Sequence, residues 1–145
     1  MSQLKFYYQN VSEFANIPAN AMFKKWAKAA LRVESEVTIR IVDEHEARAL
    51  NSQYRGKDYA TNVLTFPITE SPILMGDIVI CAPVVAAEAI AQNKSITAHF
   101  AHLIVHGMLH LSGFDHETEP QAELMEALEV QILAKLGYAN PYLVT

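Results

Sequence analysis

The spacing of apolar positions changes period several times along the chain, and each change marks an element. Leu4, Phe6 and Tyr8 share one face of a short first strand over 4–8, and Asn10 with Ser12 offers a turn after it. From Asn20 the spacing becomes helical. Met22, Phe23, Trp26, Ala30 and Val33 form an apolar stripe, while Lys24, Lys28 and Arg32 recur every fourth residue on another face. Residues 36–42 return to period two, with Val37, Ile39 and Ile41 opposed to Thr38 and Arg40, which predicts a half-buried strand. Asp43 then reads as a helix N-cap, and Glu46 three residues later completes a capping box for a helix ending near Gln53.

Residues 54–61 show no clear period and read as a loop before a strand over 62–66, which Pro67 ends. A second strand over 74–82 carries the β-branched run Ile78-Val79-Ile80, and the short connection between the two predicts a hairpin. After Pro83 the pattern predicts helices over 84–92 and 96–111, the second closed by Gly113, and a last helix over 119–136 stopped by Gly137. No internal repeat, low-complexity tract or linker interrupts this order. It predicts an α+β fold in which a small mixed four-stranded sheet packs with about five helices.

A length of 145 residues at 51% hydrophobic composition supports one sizeable core, so residues 1–145 read as a single domain. No basic leader precedes an apolar segment, and no run approaches the ~20 apolar residues of a membrane span. The expectation is a soluble cytoplasmic protein without a membrane partner. Cys81 is the single cysteine, closes no internal disulfide, and reads as a packing residue. The net charge of −5 by itself argues against nucleic acid. Its distribution softens that conclusion: residues 1–57 hold nine basic and six acidic side chains, residues 58–145 two basic and ten acidic. Such an asymmetry lets one fold present a basic face beside an acidic one.

The candidate chemistry lies in the helix over 96–111, which carries His99, His102, His106 and His110. Residues four apart on a helix face the same way with a rise of about 6 Å, so His106 and His110 can reach one ion at the ~2.0–2.1 Å that zinc requires of nitrogen. His102 and His110 are separated by about 12 Å along the axis and cannot share it. Gly113 tolerates the positive φ of a sharp reversal, which returns His116 toward the same ion. Three neutral imidazoles leave a fourth tetrahedral position open, as catalytic zinc sites do. The expectation is one zinc per chain on His106, His110 and His116, at a helix end and the following turn; nickel suits the same ligands. His102 reads as a packing group or a support to the ligands, His99 as structural, and His45 as solvated.

The spacing His-x3-His-x2-Gly-x2-His matches the ligand frame of metzincin proteases, but Gly107 stands where those enzymes carry their glutamate base. Three motifs instead resemble the YbeY-type endoribonucleases, bacterial factors implicated in ribosomal RNA maturation. They are His106-Gly107-x-x-His110-Leu111-x-Gly113-Phe114-Asp115-His116, then Asn51-x-x-Tyr54-Arg55-x-x-Asp58-x-x-Thr61-Asn62-Val63-Leu64-Thr65-Phe66-Pro67, and Gly76-Asp77-Ile78. The resemblance covers most of the chain. It departs at Thr65, where the family more usually has serine, and at Phe114, where it more usually has tyrosine.

The resemblance implies a single-strand-specific, metal-dependent endoribonuclease of 16S ribosomal RNA 3′ end processing and ribosome quality control, with Arg55 as a functional residue near the metal. A guanidinium offers phosphate oxygens a planar fork of donors, which suits the charge-rich transition state of phosphodiester hydrolysis. Without the family, Arg55 reads as a loop arginine paired with Asp58. Lys57 and the Lys24, Lys28, Arg32 stripe are candidates to guide the RNA backbone. Asp77 reads as a structural acid, and Asp115 as a partner that orients a histidine rather than as the base. Implied partners are ribosomal RNA and the small ribosomal subunit. The acidic face of Glu119, Glu123, Glu126 and Glu129 is a candidate surface for a basic ribosomal protein. Two alternatives stand beside this reading: a metzincin-like hydrolase of peptides or small amides and esters, and a metal-stabilised ribosome assembly adaptor.

Overall fold

The computed structural model describes residues 3–143. The elements in chain order are β1 (Leu4–Asn10), α1 (Asn20–Ala29), β2 (Ser35–Val42), α2 (Glu44–Arg55), β3 (Val63–Thr69), β4 (Leu74–Cys81), α3 (Ala82–Ala91), α4 (Ile96–Leu111) and α5 (Glu119–Leu136). The four strands form one sheet in the order β1-β2-β4-β3. β1 runs parallel to β2 and β2 to β4, while β3 pairs antiparallel with β4 as the expected hairpin. This is the mixed four-stranded sheet and five-helix α+β arrangement that the pattern predicts. Among the described residues no helix is long and apolar enough to cross a membrane.

Alternation along β4 divides the interior. Ile78 and Ile80 join Val37, Ile39 and Ile41 of β2 in the main core, which also takes residues of α1, α3, α4 and α5. Val79 and Cys81 face the opposite side and pack with Val42, Ala47 of α2 and Leu64 of β3. Cys81 is therefore a buried packing residue whose thiol is pushed up by burial. α4 lies at the centre of the main core, and from Phe100 to His110 only His102, His106 and His110 escape full burial. An apolar helix wedged between a sheet and three other helices has one narrow edge left for polar groups, and here histidines occupy it.

Several local expectations are corrected. The capping box at Asp43 does not form: its Oδ2 accepts the backbone N–H of Glu13 at 3.0 Å, and Glu46 accepts a forked pair from Arg40 at 2.6 and 2.9 Å. A carboxylate held by a guanidinium through two parallel bonds outcompetes a single bond to a backbone N–H. The capping box is at Thr118 and Gln121, opening α5. β3 continues through Pro67 to Thr69, because it is an edge strand and a register shift between Pro67 and Thr69 absorbs the missing donor. Pro83 is at the start of α3 rather than before it, where its missing N–H costs nothing. α1 stops at Ala29, so Arg32 lies past the helix and does not continue the Lys24, Lys28 stripe.

Candidate metal centre

α2 extends two residues beyond Gln53 and ends on Arg55, with Gly56 at φ +69° terminating it. That left-handed step lets Gly56 N–H bond Ser52 C=O at 3.1 Å and Lys57 N–H bond Asn51 C=O at 3.3 Å. The loop beyond is tied back by the buried Asn51, which donates to Tyr59 C=O at 2.8 Å, and by the exposed pair of Arg48 with Asp58 at 2.8 and 3.0 Å. Asp58 thus pairs with Arg48 and not with Arg55. Among the described residues Arg55 makes no ion pair.

Arg55 lines a cleft of about 670 Å³ whose walls also include His106, His110, Asp115, His116 and Glu117. The turn that brings the last of these round is built on backbone bonds. Phe114 N–H reaches Leu109 C=O and Gly113 N–H reaches His110 C=O, both at 3.1 Å, with Gly113 at φ +103°. The same turn orients a ring: His110 Nδ1 donates to Phe114 C=O at 3.0 Å, leaving Nε2 with a free lone pair. Arg32 sits above the other side of the turn, its guanidinium carbon 5.7 Å from the Phe114 ring centre.

His106 is held from the opposite side by α5. Its Nδ1 lies 2.9 Å from Oε2 of Glu129, while Oε1 of the same carboxylate is 2.7 Å from His102 Nε2 and also accepts the Tyr142 hydroxyl. Glu129 is only 1% exposed. Burial pushes its carboxyl up, but hydrogen bonds from His102, His106 and Tyr142 together outweigh it and hold the group down to about 2. The opposing hydroxyl of Tyr142 is pushed up by burial and by Glu129. An ionised carboxylate fixes the proton of His106 on Nδ1 and leaves the lone pair of Nε2 free, as carboxylate partners do for histidines that bind metals.

His110, Asp115 and His116 each place one ligand atom within 4.8 Å of the other two, a grouping able to hold a cation. The His106 ring centre is 6.3 Å from that of His110 and 5.4 Å from that of His116. Imidazoles bound tetrahedrally to one ion at about 2.0–2.1 Å have centres roughly 5 Å apart, so small ring rotations bring His106 into such a set. The donor chemistry fits a zinc-like ion: two rings with Nδ1 engaged and Nε2 free, a third that is half exposed, and a carboxylate beside them.

Other sequence candidates fall elsewhere. Lys24, Lys28 and Lys57 are exposed and, like Arg32, do not line the cleft. His99 is buried and bonded to Glu88 at 2.9 Å, and His45 is exposed. Asp77 is partly buried, which pushes its carboxyl up. Asp115 caps the backbone N–H of His116 at 2.7 Å and stands 3.9 Å from that ring's Nδ1. Glu129 is the residue that sequence reasoning misplaced, since it is no part of an exposed acidic face. Met125, Glu129 and Leu133 follow one another at intervals of four, and all three are buried. An acid inside an apolar helical stripe was the available signal.

Gly107 receives a positive explanation. A Cβ there would meet Ile78 Cδ1 at 3.1 Å, so the position after His106 faces the sheet and has no access to the cleft. No side chain at 107 could serve as a base in this fold.

The fold and site define an α+β protein with a histidine and carboxylate cluster at the end of its central helix that shares a cleft with an arginine. The family profile described as Endoribonuclease YbeY matches residues 6–137, and the chain belongs to that family of endoribonucleases. It is 58% identical over 142 residues to Endoribonuclease YbeY of Methylobacillus flagellatus, covering 98% of this chain and 95% of the relative. It is 62% identical over 128 residues to the Aromatoleum aromaticum protein of the same name, covering 88% and 83%. A solution structure from Thermotoga maritima superposes with a TM-score of 0.60 at 25% identity over 91% of each chain. These matches do not favour the peptide-hydrolase or adaptor alternatives.

Proposed function

We propose that residues 1–145 act as one metal-dependent endoribonuclease domain, specific for single-stranded RNA and working in the cytoplasm on 16S ribosomal RNA 3′ ends and in ribosome quality control. The observation that carries this reading is the single cleft lined by Arg55 together with His106, His110 and His116. His106, His110 and His116 would hold one zinc ion, with nickel suiting the same nitrogens. When bound, the ion would supply Lewis acidity toward a phosphate oxygen or toward water. Arg55 would bind two phosphate oxygens through its fork and stabilise the charge that builds on them during displacement. Asp115 and Glu117, the carboxylates on the cleft wall, are the groups able to accept a proton there. Lys57, Lys24, Lys28 and Arg32 would serve as outlying contacts for the RNA backbone, and the small ribosomal subunit with a basic ribosomal protein as the setting in which cleavage occurs.

The test is cleavage of a single-stranded oligoribonucleotide by the purified protein before and after chelation, with His110→Ala as control. Activity that disappears on chelation, returns with zinc and is missing from the variant supports the reading. Equal cleavage by His110→Ala would mean that the activity comes from a contaminant.

A further inference from the structure

The cleft has a shortage that points to how it holds its substrate. Among the described residues Arg55 is the only lysine or arginine on its wall, which also carries Asp115 and Glu117. A groove that bound RNA mainly through phosphates would need several cations, since each neutralised phosphate contributes by releasing counterions. Other binding energy has to come from the uncharged part of the wall.

That part is aromatic. Tyr54, one residue before Arg55 on the last turn of α2, lines the cleft and is 60% exposed. Phe66 of β3 lines it too and stands edge-on to Tyr54, with ring centres 5.2 Å apart and planes at 67°. Phe66 is packed against the cluster formed by Val42, Leu64 and Val79, so its ring is anchored from behind. The pair leaves much of the tyrosine ring exposed but braced, next to Arg55 in the chain and in the same cleft as the histidines. Tyrosine loses little side-chain freedom when it takes a flat partner, and every nucleobase offers one.

We propose that Tyr54, braced by Phe66, is a stacking platform for an unpaired RNA base next to the phosphate bound at Arg55. This rests on the endoribonuclease reading and gives it a physical source of single-strand selectivity. A base inside a duplex already has both faces covered by its neighbours, so only a splayed base can use the platform. Arg55 and Tyr54, adjacent on one helix end, would then hold a phosphate and a base of the same strand.

The experiment is a titration of wild type, Tyr54→Phe, Tyr54→Leu and Tyr54→Ala with a single-stranded oligoribonucleotide carrying 2-aminopurine, alongside kcat/KM on that strand and on a hairpin. Base stacking on wild type and Tyr54→Phe quenches the probe. Tyr54→Ala weakens binding by about 5- to 150-fold, the range expected for one stacked base, and the preference for single strand over hairpin falls with it. Tyr54→Leu retains an apolar contact to Phe66 without a π face, so its loss of quenching separates stacking from support of the fold. Wild-type binding, quenching and strand preference in Tyr54→Ala would overturn the platform while leaving the nuclease intact. A wild-type protein that quenches the probe through Tyr54 but cleaves nothing would instead sink the nuclease reading and leave the platform.

Discussion

His106 and Glu129 lie 23 residues apart in the chain, and the Nδ1 of one stands 2.9 Å from the Oε2 of the other. One carboxylate, buried in α5, orients a histidine on α4 and ties it to His102 and Tyr142. The orientation of His106 on α4 therefore depends on a helix that follows it.

Glu129→Gln keeps the side chain's shape but can present an amide nitrogen to His106. Metal affinity is expected to fall about 10- to 100-fold, the usual effect of removing such a support. Competition with a calibrated chelator measures it, and an unchanged affinity would show that Glu129 is only a buried structural acid.

Arg55→Ala should leave metal content unaltered and lower kcat on single-stranded RNA by about 100-fold or more, as loss of one charge-stabilising donor does. Arg55→Lys restores the charge without the fork and should recover only a small part of the rate. Metal analysis beside steady-state kinetics separates a loss of binding from a loss of chemistry. Full rescue by lysine would argue against two-point phosphate recognition.

Gly107→Ala places a methyl 3.1 Å from Ile78 Cδ1, in a core where both residues are buried. Urea denaturation should show a loss of about 1–3 kcal/mol, typical of overpacking. Installing the protease glutamate by Gly107→Glu should yield less folded protein and no peptidase activity, because the side chain faces Ile78 rather than the cleft.

His99 is buried beside Glu88, and burial holds its imidazole below the ordinary 6.5, against the pull of the carboxylate. The unfolded chain takes up this proton at higher pH than the folded one does. The stability linked to His99 is thus fully present above pH 6.5 and is lost as pH falls toward and through the folded value. Urea midpoints between pH 8 and 5 should decline for the wild type and decline less for His99→Gln. Parallel curves for the two proteins would remove His99 as the source.

Much of this was legible in the order of residues. Periodicity gave α4 and α5 with their observed bounds, because Ser95 and Thr118 cap them with their own side chains and Gly113 and Gly137 mark their exits. It misread Asp43 and Glu46, because the competing donors come from Glu13 and Arg40, which local pattern does not bring near. Arg55 reads from the pattern as a loop residue for a related reason. The exposed, polar last turn of α2 has little apolar period, and its helical state shows only in the backbone bonds around Gly56.

Sequence by itself determined the histidine frame, since i, i+4 spacing on a helix and a glycine at the reversal are properties of local backbone geometry. It also determined that position 107 carries no base. Only the tertiary structure decided why that position faces Ile78, that Glu129 supports His106, and that Arg55 and Tyr54 share a cleft with the histidines. Local chemistry propagates along one helix, whereas these relations join separate elements whose relative placement is set by packing against one sheet.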